Sequence, residues 1–296
     1  MVGAWISAFR LRTLPLSLSC IGMGAFLAAS EGHFRLSVFA LCCLTTVLLQ
    51  VLSNLANDYG DSIHGADHAG RSGPSSAVQS GAIPAHSMRN AVILFSLLSL
   101  VSGLALLWIA LGSNWQAVAY FLLMGMACII AAITYTVGKK PYGYAGLGDL
   151  SVLIFFGLVG VLGSLYLFTG SVSWPEVLPA LSCGFFAMAV LNVNNIRDID
   201  SDLHAGKFSV PVRIGKEKAT VYHWFLLTGG LLAGVVYTWL QYESPYQLLF
   251  LLTLPLFIRN GLAVTKKSSA ELDPYLKQMA LSTLLFVVLF GLGVIL

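Results

Sequence analysis

Runs of about 20 apolar residues, each long enough to cross the hydrocarbon core of a bilayer, recur along this chain from one end to the other with short polar gaps between them. Nine can be counted, near residues 14–30, 36–57, 87–111, 115–137, 147–169, 176–197, 219–241, 246–263 and 278–296. Few folds remain open to such a chain. Backbone amides and carbonyls in lipid must be satisfied within their own segment, so spans of this kind are helices. Composition agrees, with 57% of the 296 residues hydrophobic and 10% charged, against about 25% charged in soluble domains. The expected fold is an all-α, polytopic bundle of about nine transmembrane helices, one membrane domain over residues 1–296. The eighth run is short and holds Pro255, so the pattern leaves open whether it crosses fully.

Arg10 and Arg12 ahead of an apolar stretch could also open a signal peptide, but eight further spans insert this chain without one. The cysteines, Cys20, Cys42, Cys43, Cys128 and Cys183, all lie in apolar spans without C-x-x-C spacing and read as packing residues. Basic residues set the orientation. With the N-terminus in the cytoplasm, every one of the 16 lysines and arginines except Arg35 falls on the inner side. The net charge of +3 is then a topology signal, and no nucleic-acid partner is expected.

Six of the 13 acidic residues gather in two short segments at the inner ends of the second and sixth spans. One runs from Ser53 through Asn54, Asn57, Asp58 and Asp61 to Asp67. The other runs from Asn192 through Asn194, Asn195, Arg197, Asp198, Asp200 and Asp202 to Lys207. At about 100° per residue, Asn54, Asn57, Asp58 and Asp61 share one helical face, as do Asn195, Asp198 and Asp202. Asp200 points away, and His64 and His204 read as loop residues. A helix C-terminus already carries partial negative charge, so carboxylates stacked there call for a cation. Oxygen ligands suit Mg²⁺, whose shell water and substrate phosphate complete. Arg71, Lys139, Lys140, Arg197, Lys207 and Arg213 lie nearby to meet phosphate. Solvated helix caps are the plainer alternative, but they need no repeated Asn and Asp on one face.

A third inner segment, Tyr135 to Asp149, joins the fourth and fifth spans and combines Lys139 with glycines and three tyrosines. Tyr142 and Tyr144 suit either a site wall or an interfacial belt. The acidic segments sit four spans apart, which suggests two four-helix halves plus a ninth helix. The long stretch from Gly65 to Ala85 is placed to cover the mouth of the bundle. A transporter would set its binding groups near the midplane, where these spans carry almost no charge.

At Arg10–Pro15, Leu52–Asp61, Ile133–Asp149 and Leu191–Lys207, and over essentially its whole length, the chain resembles the UbiA superfamily of intramembrane prenyltransferases, within it the branch that prenylates 1,4-dihydroxy-2-naphthoate. The family's first motif, Asn-x-x-x-Asp-x-x-x-Asp, is met by Asn57 and Asp61, but Gly65 stands at its third place and Asp67 is the nearest carboxylate. Asp198 and Asp202 complete the second motif, Asp-x-x-x-Asp. The resemblance implies a cavity open toward the bilayer for the prenyl tail. It also implies a polyprenyl diphosphate held through Mg²⁺ at the inner mouth, with an aromatic acceptor (the naphthoate, or alternatively 4-hydroxybenzoate or homogentisate) attacking the allylic cation. Pattern and resemblance together give a candidate site. Asp61, Asp198 and Asp202 are catalytic; Asn57, Asp58, Asp61, Asp67, Asp198 and Asp202 hold metal; Asn54, Asn57, Arg71, Tyr135, Lys139, Asn195, Arg197 and Lys207 bind substrate. The expected setting is the lipid of a bacterial inner membrane, with the site facing the cytoplasm.

Overall fold

The structure, a computed structural model, describes residues 2–64 and 76–296. Among the described residues nine helices are long and apolar enough to cross a membrane: α1 (Val2–Ser30), α2 (Leu36–Ile63), α3 (Ala85–Leu111), α4 (Trp115–Thr134), α5 (Gly148–Thr169), α6 (Trp174–Arg197), α7 (Val210–Leu240), α8 (Pro245–Lys266) and α9 (Asp273–Ile295). The chain is a multi-pass membrane protein. Asp67 and Arg71, with most of the segment expected to cover the mouth, lie outside the described residues.

The helices outrun their apolar stretches. Helix α2 continues into the first acidic segment as far as Ile63, and α7 and α9 begin several residues before their apolar runs. Helix α1 starts at Val2 but breaks at Arg10, whose φ of 48° lies in the left-handed region, and it resumes through the tight turn Leu11–Thr13. Such a conformation costs roughly 1–3 kcal/mol. Asn54 supports it from α2, donating to the Phe9 carbonyl at 2.9 Å and to Thr13 Oγ1 at 3.4 Å. Pro255 does not interrupt α8. A 3₁₀ stretch, Pro245–Thr253, gives way at Leu254 to an α-helix with Pro255 in its first turn, where no amide is needed.

Lipid is as apolar as a leucine side chain, so helix association here rests on close packing. Helix α6 is the most buried and α4 the least. Against α6, a Cβ on Gly157 of α5 would sit 2.9 Å from the Ala180 carbonyl and 3.0 Å from Gly184 Cα, so neither glycine has room for a side chain. On its other side Phe186 stacks on Phe257 at 4.4 Å and meets Phe286 edge-on at 4.9 Å. Cys20, Cys42 and Cys183 are buried in this core. Within α5 the stretch Leu153–Gly163 is π-helical, a widened turn that recurs at functional sites.

Candidate active site

A cavity of about 410 Å³ runs through the part of the bundle bounded by α1 to α6. Its inner end is polar, lined by Arg10, Asn57, Asp61, Tyr135, Asn195 and Lys207. Its far end is apolar, lined by Cys42, Leu107, Phe121 and Leu167, with Gly160 and Gly163 of the π-helical stretch on one wall. From Asp61 back to Cys42 along α2 is about 28 Å at 1.5 Å per residue, close to the thickness of a hydrocarbon core.

The inner end of α2 is fixed by its contact with the turn after α4. Thr136 Oγ1 donates to the Ala56 carbonyl at 3.0 Å and to Asn57 Oδ1 at 3.1 Å. The approach depends on Gly60, where a Cβ would meet the Thr136 carbonyl oxygen at 2.6 Å. Asp61, only 6% exposed, accepts a hydrogen bond from Tyr144 at 2.9 Å. Tyr142 lines the cavity and donates to the Ala131 carbonyl at 2.9 Å. Tyr142 thus faces the cavity, and Tyr144 is tied to it through Asp61.

The second acidic segment forms ion pairs. Helix α6 ends at Arg197, and Asp198 opens the short helix Ile199–His204. Arg197 grips both oxygens of Asp198 at 2.8 Å through Nε and Nη2, and it also reaches Asn194 and Asp273. Lys207 Nζ lies 3.3 Å from Asp202. Asp198 and Asp202 are thus buried directly behind the cavity wall, while their neighbours Asn194, Asn195 and Lys207 line it. Asp200 is exposed, as its helical position implies, and His204, expected in a loop, is the exposed last residue of the short helix.

Tyr135 registers both segments. Burial pushes its phenol up to about 12, with Lys207 opposing the rise and Asp149, Asp202 and Asp61 adding to it. The phenol therefore stays protonated at physiological pH and is available as a donor. The loops bearing these groups are laced together: Phe208 N donates to the Tyr144 carbonyl at 3.0 Å, and Arg213 Nη2 to the Ala145 carbonyl at 2.9 Å. Gly146 makes this possible, having a φ of 80° and a Cβ position only 2.6 Å from the Phe208 carbonyl oxygen.

Three of the expected site residues stand wholly or partly away from the mouth. Asp58 does not face the mouth: Ser76 and the amides of Ala77 and Val78, at 3.1 and 3.3 Å, occupy its carboxylate, so it anchors the chain entering α3. Asn54 lines the cavity, but its amide nitrogen is used on the break in α1. Lys139 is exposed on its turn and absent from the lining, whereas Lys207, expected together with it, lines the cavity. Arg10, not among the expected site residues, is set in the lining by its strained turn.

Among the described residues no three of His, Cys, Asp and Glu converge as a ready-made metal cluster. The donors still fit a hard cation. All are oxygens, and the buried Asn195 Oδ1, on the cavity wall, has no hydrogen-bond partner among the described residues. A membrane-embedded helical bundle whose cavity joins an oxygen-rich mouth to an apolar tunnel defines an enzyme for a substrate with a charged head and a long lipid tail.

Comparison with known proteins narrows the class. The sequence pattern of the UbiA prenyltransferase family matches residues 17–294. A 1,4-dihydroxy-2-naphthoate octaprenyltransferase from Haemophilus influenzae is 45% identical over 98% of this chain and 95% of its own length. In fold, the chain is similar to the apo structure of a UbiA homolog from Aeropyrum pernix K1, with a TM-score of 0.70 and 20% identity over 97% of this chain and 98% of that one. It is also similar to a UbiA homolog from Archaeoglobus fulgidus bound to GPP and Mg²⁺, with a TM-score of 0.64 and 18% identity over 97% and 99% of the two chains. The chain belongs to the UbiA prenyltransferase family.

Proposed function

We propose that this chain transfers a polyprenyl group from polyprenyl diphosphate to 1,4-dihydroxy-2-naphthoate with loss of the acceptor's carboxylate, giving demethylmenaquinol in menaquinone biosynthesis. The observation that carries the reading is the cavity itself, in which one continuous space joins oxygen and cationic groups to a long apolar stretch. The Haemophilus influenzae relative, matched over almost its full length, supports the choice of acceptor.

In this reading the prenyl tail lies in the tunnel and the diphosphate at the mouth. Mg²⁺, held by Asn57, Asp61, Asp198 and Asp202, would supply the positive charge that the diphosphate needs as its C–O bond breaks. Lys207 adds a fixed cation on the wall, and Tyr135 adds a protonated donor. Phe155 and Phe156 line the cavity and offer aromatic faces to an allylic cation, while the apolar wall keeps water from quenching it. The acceptor's ring carbon bearing the carboxylate attacks the cation, and carbon dioxide leaves as the ring regains aromaticity. Two four-helix halves plus α9 organise the site: the tight pairs α2–α3 and α6–α7 correspond under a shift of four helices, and each half brings one acidic segment.

The assay that tests this supplies prenyl diphosphate and acceptor labelled at the carboxylate to purified protein. Label should be released as carbon dioxide in step with prenylated product. Faster turnover of 4-hydroxybenzoate or homogentisate would reject the naphthoate as acceptor.

Among the basic residues, Lys207→Ala should raise the KM for prenyl diphosphate or lower kcat by about tenfold or more, as expected on losing a charge-assisted contact. Lys139→Ala should have a smaller effect, and Lys266→Ala none. Steady-state kinetics in donor and acceptor check the order, and a crippled Lys266→Ala enzyme beside a normal Lys207→Ala enzyme would show that the mouth is misassigned.

We place the N-terminus and the site's mouth on the cytoplasmic face of the bacterial inner membrane, because basic residues cluster at that end of the bundle. With nine spans the C-terminus faces outward. A C-terminal alkaline phosphatase fusion should be active and a C-terminal green fluorescent protein dark; the opposite result would overturn the orientation.

A further inference from the structure

We propose that Asp273, the first residue of α9, is a positioning residue for the second acidic motif, accepting Arg197 when Asp198 turns to a substrate-bound cation. This rests on the reading of Asp198 as a ligand of that cation. Four charged side chains from three elements form a chain at the inner end of the bundle. Arg197, with its side chain only 2% exposed, holds Asp198 through Nε and Nη2 and Asp273 through Nη1. Arg12, from the turn that breaks α1, donates to both Asp273 oxygens at 3.1 and 3.3 Å. Asp273 and Arg12 are about one third exposed, whereas Asp198 is fully buried.

The arrangement answers a problem posed by Asp198. Its carboxylate is engaged by a buried guanidinium behind the cavity wall, so ligating a cation at the mouth requires it to loosen from Arg197. Releasing it outright would strip a buried guanidinium of a counter-charge, a costly state. Asp273 and Asn194 hold the other side of the Arg197 fork, so Arg197 keeps a carboxylate and an amide oxygen as Asp198 swings away. Arg12 fixes Asp273 from the opposite side and keeps α9 in register with α1. Its part is to hold the receiver in place, whereas the charge that matters to Asp198 is that of Asp273. With Asp273 uncharged, Arg197 binds Asp198 more tightly and the motif becomes a weaker ligand.

The test is equilibrium binding of Mn²⁺ to the full, detergent-purified chain, followed by electron paramagnetic resonance with geranyl thiolodiphosphate present as a non-reacting donor analogue. Asp273→Asn should weaken Mn²⁺ binding about 10-fold or more, the usual effect of removing a partner behind a metal ligand. Arg12→Gln, which breaks the α1–α9 pair but leaves Asp273 to Arg197, should lower the melting temperature and leave Mn²⁺ affinity close to wild type. Equal Mn²⁺ losses in the two variants would show that Asp273 is only a staple between helices, and wild-type affinity in Asp273→Asn would also overturn the proposal. Asp198→Ala separates this failure from that of the underlying site: if that variant binds Mn²⁺ like wild type, Asp198 is not a ligand at all. Should Asp273→Asn not fold, the exchange Arg12→Asp with Asp273→Arg retains the α1–α9 pair while setting a cation against Arg197. Wild-type Mn²⁺ affinity in that variant would equally refute the relay.

Discussion

Asp61→Asn and Asp198→Asn variants are expected to insert and purify like the wild type while turning over prenyl diphosphate at least about 10²–10³-fold more slowly, the scale on which loss of one preorganised group facing developing charge is felt. The folding part follows from contacts already present. An asparagine at position 61 still offers an oxygen to the Tyr144 hydroxyl, and Arg197 keeps Asp273 and Asn194 when position 198 loses its charge. The catalytic part follows from charge. Diphosphate departs as an anion, and at the mouth the described cations Arg10 and Lys207 are too few to hold it without a metal, which an amide ligates far less strongly than a carboxylate. Chelator should reproduce both variants' defect in the wild type, and added Mg²⁺ should reverse it. Near-normal turnover by either variant, or by the wild type in excess chelator, would sink the metal-site assignment.

A bulky residue at Gly163 is expected to change the donor preference strongly. A Cβ there would meet only side-chain atoms, Met124 Cε at 3.5 Å and Phe121 Cε1 at 3.8 Å, so a larger side chain projects into the tunnel without striking backbone. Gly163 lies 14 residues beyond Asp149 on α5, at the end of the π-helical stretch and far from the mouth. Gly163→Phe should therefore leave the mouth and its charges untouched and shorten the tunnel. Each five-carbon unit denied burial forfeits roughly 2–4 kcal/mol. A long polyprenyl diphosphate should lose at least about 30-fold in kcat/KM, while geranyl diphosphate changes little. Equal losses for the two donors would mean that the tail does not follow this tunnel.

The fold was legible because the bilayer permits so little else. Once runs of apolar residues reach the length of a hydrocarbon core, helix is imposed on each of them. Helical spacing likewise put Asp61 on the face with Asn57 and turned Asp200 to solvent. The ends of the spans were less legible. Apolar character stops where lipid stops, but the helix at α2 continues on backbone hydrogen bonds into its polar segment. Pro255 looked like an interruption only because its position within a helical first turn is invisible without the preceding 3₁₀ stretch.

The roles of individual polar residues divide in the same way. Sequence alone determined that oxygen ligands and cations would gather at one end of two helices, since spacing along a helix is local and fixes which residues share a face. Which of them faces the cavity depended on partners far away in the chain. Asp58 is claimed by amides 19 and 20 residues on, Asp198 is held by an arginine that Asp273 shares, and of the two expected lysines Lys207 reaches the cavity because the 205–209 loop packs inward on Tyr144. A side chain's hydrogen-bond partners are set by the meeting of helices, and that meeting depends on glycine contacts such as Gly60 with Thr136 and Gly157 with Gly184, which only the packed bundle reveals.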